Sequence, residues 1–142
     1  MKPAVKFFHL HKGARLREAT RLKQFISQLF KREGKALGGL NYIFCSDKYL
    51  LQINRLYLRH DYYTDIITFD LSAPGEDTLG EIYISLDRVN ENASNEDVSF
   101  TRELHRVIFH GALHLCGYKD KSKPDKLRMT QMEDKYLQLY FK

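Results

Sequence analysis

The chain has 142 residues, 43% of them hydrophobic, with nine Tyr, nine Phe and no Trp, which is enough for one core but too short for two independent ones. Its formal charge of +5 favours a polyanionic partner, but acidic residues are interleaved with the basic ones, so charge alone does not specify a nucleic acid. No stretch approaches the ~20 apolar residues of a membrane span, and the first eighteen residues lack the long apolar region and small-residue cleavage site of an export signal.

The expectation is therefore a single domain over residues 1–142, working in the cytoplasm without a membrane anchor. Its two cysteines fit that compartment. Cys45 and Cys116 are far apart and form no CxxC pair, so both read as reduced, small apolar residues rather than a disulfide.

In chain order, residues 5–10 are strand-like. Residues 15–32 then space Leu16, Ala19, Leu22, Phe25, Ile26 and Leu29 as one helical stripe that a Gly-containing stretch ends. A strand is predicted over 40–45, a short helix from Asp47 through Leu51, Ile53 and Leu56, and an alternating strand over 65–71. Ser72 to Thr78 reads as an extended loop, 80–85 as a fourth strand and 87–93 as a weak helix. Two stronger helices follow, at 101–116 and 125–140, the last carrying Leu127, Met132, Tyr136, Leu139 and Tyr140. Strands early and helices late predict an α+β fold: a four-stranded mixed sheet with helices packed mainly on one side.

The segment FHGALHLCGYKD, from Phe109 to Asp120, carries the chemistry. His110 and His114 stand at i and i+4 near the end of a helix, one turn apart on one face, so both imidazoles can reach one ion. Gly117 can take the left-handed conformation that ends a helix, turning the chain back and returning Asp120 towards the rings. The pattern H-x3-H-x2-G-x2-D thus offers two nitrogens and one carboxylate to a single Zn2+ ion, leaving a fourth position for water, as in a catalytic zinc site.

Other titratable groups rank lower. Cys116 lies some 200° around the helix from His114 and reads as buried and apolar. Glu103, two turns before His110, either orients a metal-bound imidazole or pairs with a nearby base. His105 is off that face, and His9, His11 and His60 are distant, so these four read as surface or structural residues. The spacing also resembles that of metzincin peptidases, in which a Glu directly after the first His is the general base. That position is Gly111 here, which counts against peptide hydrolysis.

These residues resemble the YbeY family of zinc-dependent endoribonucleases, whose signature is H-G-x-L-H-L-x-G-Y-D-H. His110, Gly111, Leu113, His114, Leu115, Gly117 and Tyr118 agree with it, whereas its closing Asp-His is Lys119-Asp120. The resemblance continues in INRLYLRHDYYTDIITFD, from Ile53 to Asp70, similar to L-N-x-x-Y-R-x-x-D-x-P-T-D-V-L-S-F, in Leu79-Gly80-Glu81-Ile82, and in Met129 with Glu133. The family's Arg falls on Leu58, with Arg59 beside it, and its Pro falls on Tyr63.

The resemblance implies one zinc ion held by His110, His114 and Asp120, with Arg59 as the catalytic cation that would hold a scissile phosphate. An oxygen in place of the third histidine cancels one unit of metal charge, so activity is expected to be lower or more alkaline. It further implies a bacterial cytoplasmic enzyme that cuts single-stranded RNA, matures the 16S RNA of the small ribosomal subunit and serves ribosome quality control. Tyr42, Tyr57, Tyr62, Tyr63 and Tyr118 are available as stacking surfaces. The competing readings are a ribosome-assembly factor with a structural zinc and, further off, a zinc peptidase.

Overall fold

In the computed structural model, which describes residues 4–11 and 16–142, the strands are β1 (Val5–His9), β2 (Leu37–Cys45), β3 (Ile66–Asp70) and β4 (Thr78–Ser85). The helices are α1 (Ala19–Arg32), α2 (Asp47–Leu58), α3 (Leu86–Asn95), α4 (Phe100–Leu115) and α5 (Lys123–Tyr140). The expected α1 start at Arg15 lies outside the described residues. Serine hydroxyls cap four of the helices: Ser46, Ser85, Ser99 and Ser122 accept from the backbone N–H three residues on, satisfying donors that a helix start leaves unpaired. No helix among the described residues is long and apolar enough to cross a membrane.

The four strands form one mixed sheet in the order β1-β2-β4-β3. β1, β2 and β4 run parallel, and β3 lies antiparallel on the β4 edge. Leu40, Tyr42, Phe44, Ile82 and Ile84 point to one face and build the main core with Leu22, Ile26 and Phe30 of α1, Phe109 and Leu113 of α4, and Tyr136 and Tyr140 of α5. On the opposite face α2 packs Leu50 and Ile53 against Cys45 and Ile67, a smaller second cluster. The α+β architecture is thus the expected one, with α2 as the helix on the far side.

β2 begins three residues earlier than its hydrophobic pattern suggests. Leu37 pairs with Thr78 and Gly39 with Leu79, with a register shift between them. A Cβ at position 38 would stand 3.1 Å from the Asp77 Cβ, so Gly38 permits the close pairing there.

One glycine positions the site. Gly111 lies where α4 crosses the sheet, and a Cβ there would sit 2.8 Å from Ile82 Cδ1 and 3.0 Å from Ile66 Cδ1. The missing side chain lets the helix backbone settle onto β3 and β4, bringing the next residue towards solvent, His110, over the end of β3. A carboxylate at 111 would be driven into the sheet core, which gives a structural reason for the absence of the peptidase Glu. Gly111→Val is expected to overpack this contact and lower unfolding free energy by about 1–3 kcal/mol, measured as a shift of the urea midpoint at unchanged m-value.

Candidate functional site

His110 and His114 project from the last two turns of α4 with rings nearly parallel, 8° apart, and centroids separated by 6.3 Å. The helix stops as its sequence suggests. Gly117 adopts φ +106°, and the N–H groups of Gly117 and Tyr118 donate to the carbonyls of His114 and Leu113, the paired bonds that close a helix end around a left-handed residue. The turn delivers two groups to the histidines. The Tyr118 carbonyl accepts from His114 Nδ1 at 2.9 Å, and Asp120 Oδ2 comes within 3.3 Å of His110 Nε2. Tyr118 is anchored in turn by its hydroxyl, which donates to Glu33 at the end of α1.

A carbonyl can only accept, so His114 Nδ1 carries a proton and Nε2 is the nitrogen left for a metal. His110 is held in the same sense by Glu133 of α5, whose Oε2 stands 2.6 Å from His110 Nδ1. The other oxygen of Glu133 accepts from Arg106 at 3.0 Å, and Arg106 grips Glu103 through two nitrogens, at 2.8 and 2.5 Å. Glu103 and Glu133 are only 2% and 3% exposed. One guanidinium therefore compensates two buried carboxylates, and its own pKa rises further above the usual arginine range, chiefly through the bond to Glu103. Of the two readings of Glu103, the structure selects pairing with a base. The carboxylate that orients an imidazole is Glu133.

Burial disfavours a charged His110, but Glu133, with Asp120 and Asp65, outweighs this and raises its pKa. A bound cation would displace that proton and take up the same electrostatic field.

These side chains line a cavity of about 280 Å³, walled by Thr64, Asp65, Thr68, Arg106, His110, His114 and Asp120 among others. Asp65 was not singled out as a site residue from the sequence. It precedes β3, its Oδ2 accepts from Asn92 Nδ2 at 3.1 Å, and burial raises its pKa against the opposing pull of Arg106 and His110.

The expected ligand residues, His110, His114 and Asp120, thus share one cavity. Arg59 does not join them. It ends α2 in a left-handed conformation, φ 57°, exposed and outside the cavity lining, where the one guanidinium among the lining residues is that of Arg106.

The remaining candidates are structural. His105 is 5% exposed, bonds to the Thr101 carbonyl and stacks on Tyr140, and burial lowers its pKa. His9 stacks on Phe44, His11 approaches Asp87 at 3.6 Å and His60 stacks on Tyr62. Burial pushes both thiols up to about 12, and neither Cys45 nor Cys116 is among the residues that line the cavity. Tyr42 is fully buried, its hydroxyl bonded to the Ile108 carbonyl, and presents no stacking surface.

Against known proteins, a family model described as Endoribonuclease YbeY matches residues 10–140. The chain belongs to this family. It is 50% identical over 125 residues to "Endoribonuclease YbeY" of Flavobacterium psychrophilum, covering 88% of this chain and 89% of that protein. It is 47% identical over 133 residues to the protein of the same name in Cytophaga hutchinsonii, covering 94% and 93%. The solution structure of TM1509 from Thermotoga maritima superposes with a TM-score of 0.69 at 29% identity, covering 96% of this chain and 89% of that one. The YbeY family match therefore spans β2, β3 and β4, the cavity and both helices that supply its charged network.

Among the described residues, no group of three His, Cys, Asp or Glu side chains is arranged to hold a metal ion. The donor chemistry nevertheless fits zinc. Both imidazoles commit Nδ1 to an acceptor and so leave Nε2 as the metal-binding nitrogen, which at His110 faces the Asp120 carboxylate at 3.3 Å. Asp120 is 39% exposed at its side chain and His114 is exposed, so neither is locked by packing. Because Glu133 fixes the His110 tautomer, Glu133→Gln is expected to weaken zinc binding by about 10- to 100-fold, read by calorimetric titration, with the helical circular dichroism signal retained.

Proposed function

We propose that this member of the YbeY family is a zinc-dependent, single-strand-specific endoribonuclease. The observation that carries the reading is the convergence of His110, His114 and Asp120 on a cavity that also presents Arg106 and Asp65. His110 and His114, through Nε2, and Asp120, through its carboxylate, would hold one zinc ion. When bound, that ion supplies Lewis acidity towards a phosphoryl oxygen and lowers the pKa of water.

The chain's own groups do the rest. Arg106, its charge taken up by two carboxylates, holds Glu133 in place and through it the His110 ring. Arg59 lies six residues before Asp65, and no ion pair or side-chain hydrogen bond engages it among the described residues, so it is free to hold a phosphate of the strand outside the cavity. Asp65, held at one oxygen by Asn92, is placed to accept the proton of an attacking water at the other. Its raised pKa means the accepting carboxylate form is lost on acidification at a higher pH than for an ordinary aspartate.

By resemblance to the family, the substrate is ribosomal RNA of the small subunit (16S), the context is ribosome quality control and the compartment is the cytoplasm. The peptidase reading finds no support at Gly111, where no base can be placed. An assembly role with a purely structural zinc is disfavoured because the three donors face a cavity rather than a closed core.

Zinc-loaded protein is expected to cut single-stranded RNA and spare duplex. Asp120→Ala should lose both zinc and cleavage, and Asp65→Asn should lower kcat by about 10²- to 10⁴-fold while retaining zinc. Arg59→Ala should raise KM more than it lowers kcat. Single-turnover cleavage of a labelled oligonucleotide, paired with metal analysis of each variant, checks all three. RNA left intact by zinc-loaded parent protein would refute the reading.

A further inference from the structure

Residues 59–63, between α2 and β3, expose aromatic rings on a loop that is fixed in place. Asn54, only 1% exposed, donates its side-chain amide to the Tyr62 carbonyl at 2.9 Å, and its own carbonyl accepts from the His60 N–H at 3.1 Å. Arg55 pairs with Asp61. A buried amide and an ion pair thus hold three consecutive loop residues.

On this support Tyr62 is 56% exposed and Tyr63 52% exposed. The Tyr62 ring stacks on His60, 5.1 Å between centroids, with its hydroxyl 2.8 Å from His60 Nδ1. The Arg88 guanidinium lies 5.2 Å from the centre of the Tyr63 ring. Core packing explains neither exposed ring, and neighbouring exposed aromatics mark a contact surface.

The loop runs directly into the catalytic cavity. Thr64 and Asp65, the next two residues, line it. At about 3.8 Å per residue, the Tyr63 Cα lies within roughly 8 Å of the Asp65 Cα. A strand with a phosphate in the cavity would therefore bring a neighbouring base to the tyrosines, while Arg88, paired with Asp47 and Glu91, braces the Tyr63 ring.

We propose that Tyr62 and Tyr63 form a stacking subsite for an unpaired base flanking the scissile phosphate, and so supply the preference for single strands. The inference rests on the endoribonuclease reading. Aromatic faces accept any base, which gives affinity without sequence preference, whereas a duplex keeps its bases stacked and paired inside. Fixing the loop in advance reduces the ordering cost of binding.

The chain contains no Trp, so Tyr63→Trp introduces a single indole reporter. The probes are a short single-stranded RNA, the same oligomer lacking bases, and its duplex. Quenching of the zinc-loaded Tyr63→Trp protein by the single strand alone is expected. In cleavage assays the Tyr62→Ala/Tyr63→Ala double variant should raise KM at least about fivefold, with a smaller effect on kcat, and Tyr62→Phe/Tyr63→Phe should restore KM. An unchanged KM in the alanine double variant, or equal quenching by the base-free oligomer, overturns the subsite and leaves the nuclease reading intact. Selective quenching by a single strand that the parent cannot cleave would keep the subsite and refute the nuclease reading.

Discussion

A short hydrogen bond between the buried Glu133 carboxylate and Nδ1 of His110 ties the last helix to the one that carries the metal-binding pattern. It fixes the imidazole with its other nitrogen towards the cavity, and it is tenable only because Arg106 compensates the second oxygen of Glu133 while gripping Glu103. Two carboxylates buried without that guanidinium would carry a desolvation penalty of several kcal/mol each. The site is thus a charge network whose open end is His110. Its members lie on α4 and α5, which also share the main core with the sheet.

The second constraint is steric. Gly111 lets α4 lie close on Ile66 and Ile82, and Gly117 reverses the chain so that Tyr118 and Asp120 return to the histidines. Within eight residues, from His110 to Gly117, the same segment packs against a sheet on one side and presents two imidazoles on the other. This geometry separates the chain from peptidases of similar spacing: the residue after the first histidine faces the sheet, so catalytic groups must come from other elements. Asp65, at the entrance to β3, lines the cavity from such an element.

Local chemistry was legible in the sequence, and long-range pairing was not. The i, i+4 histidines, the glycine turn and the returning aspartate depend on backbone geometry over eleven residues, and the structure brings all three side chains to one cavity. Glu103 was visible, but its choice between an imidazole and a base depended on Arg106, which follows it by three residues and precedes His110 by four. That stripe of 103, 106, 110 and 114 on one helix face was the available signal for Arg106. Glu133 and Asp65 lie in segments that resemble the family, yet no spacing rule connects either to His110, because the sheet and the α5 docking set those distances. Likewise β2 was read too short, since Gly38 and Gly39 belong to a strand through pairing with β4 rather than by their own preference. Arg59 was named as the catalytic cation by adjacency to a motif position; it ends α2 in a left-handed conformation and is not among the residues that line the cavity.

The central claim is that two imidazoles and the Asp120 carboxylate share one ion. Zinc K-edge X-ray absorption of protein loaded with one equivalent of metal tests it most directly. The account predicts a four-coordinate shell of nitrogen and oxygen at about 2.0–2.1 Å with the multiple-scattering pattern of two imidazoles, reduced in oxygen content by Asp120→Ala. A sulfur shell at about 2.3 Å, which would bring in Cys116, or a single imidazole, would contradict it.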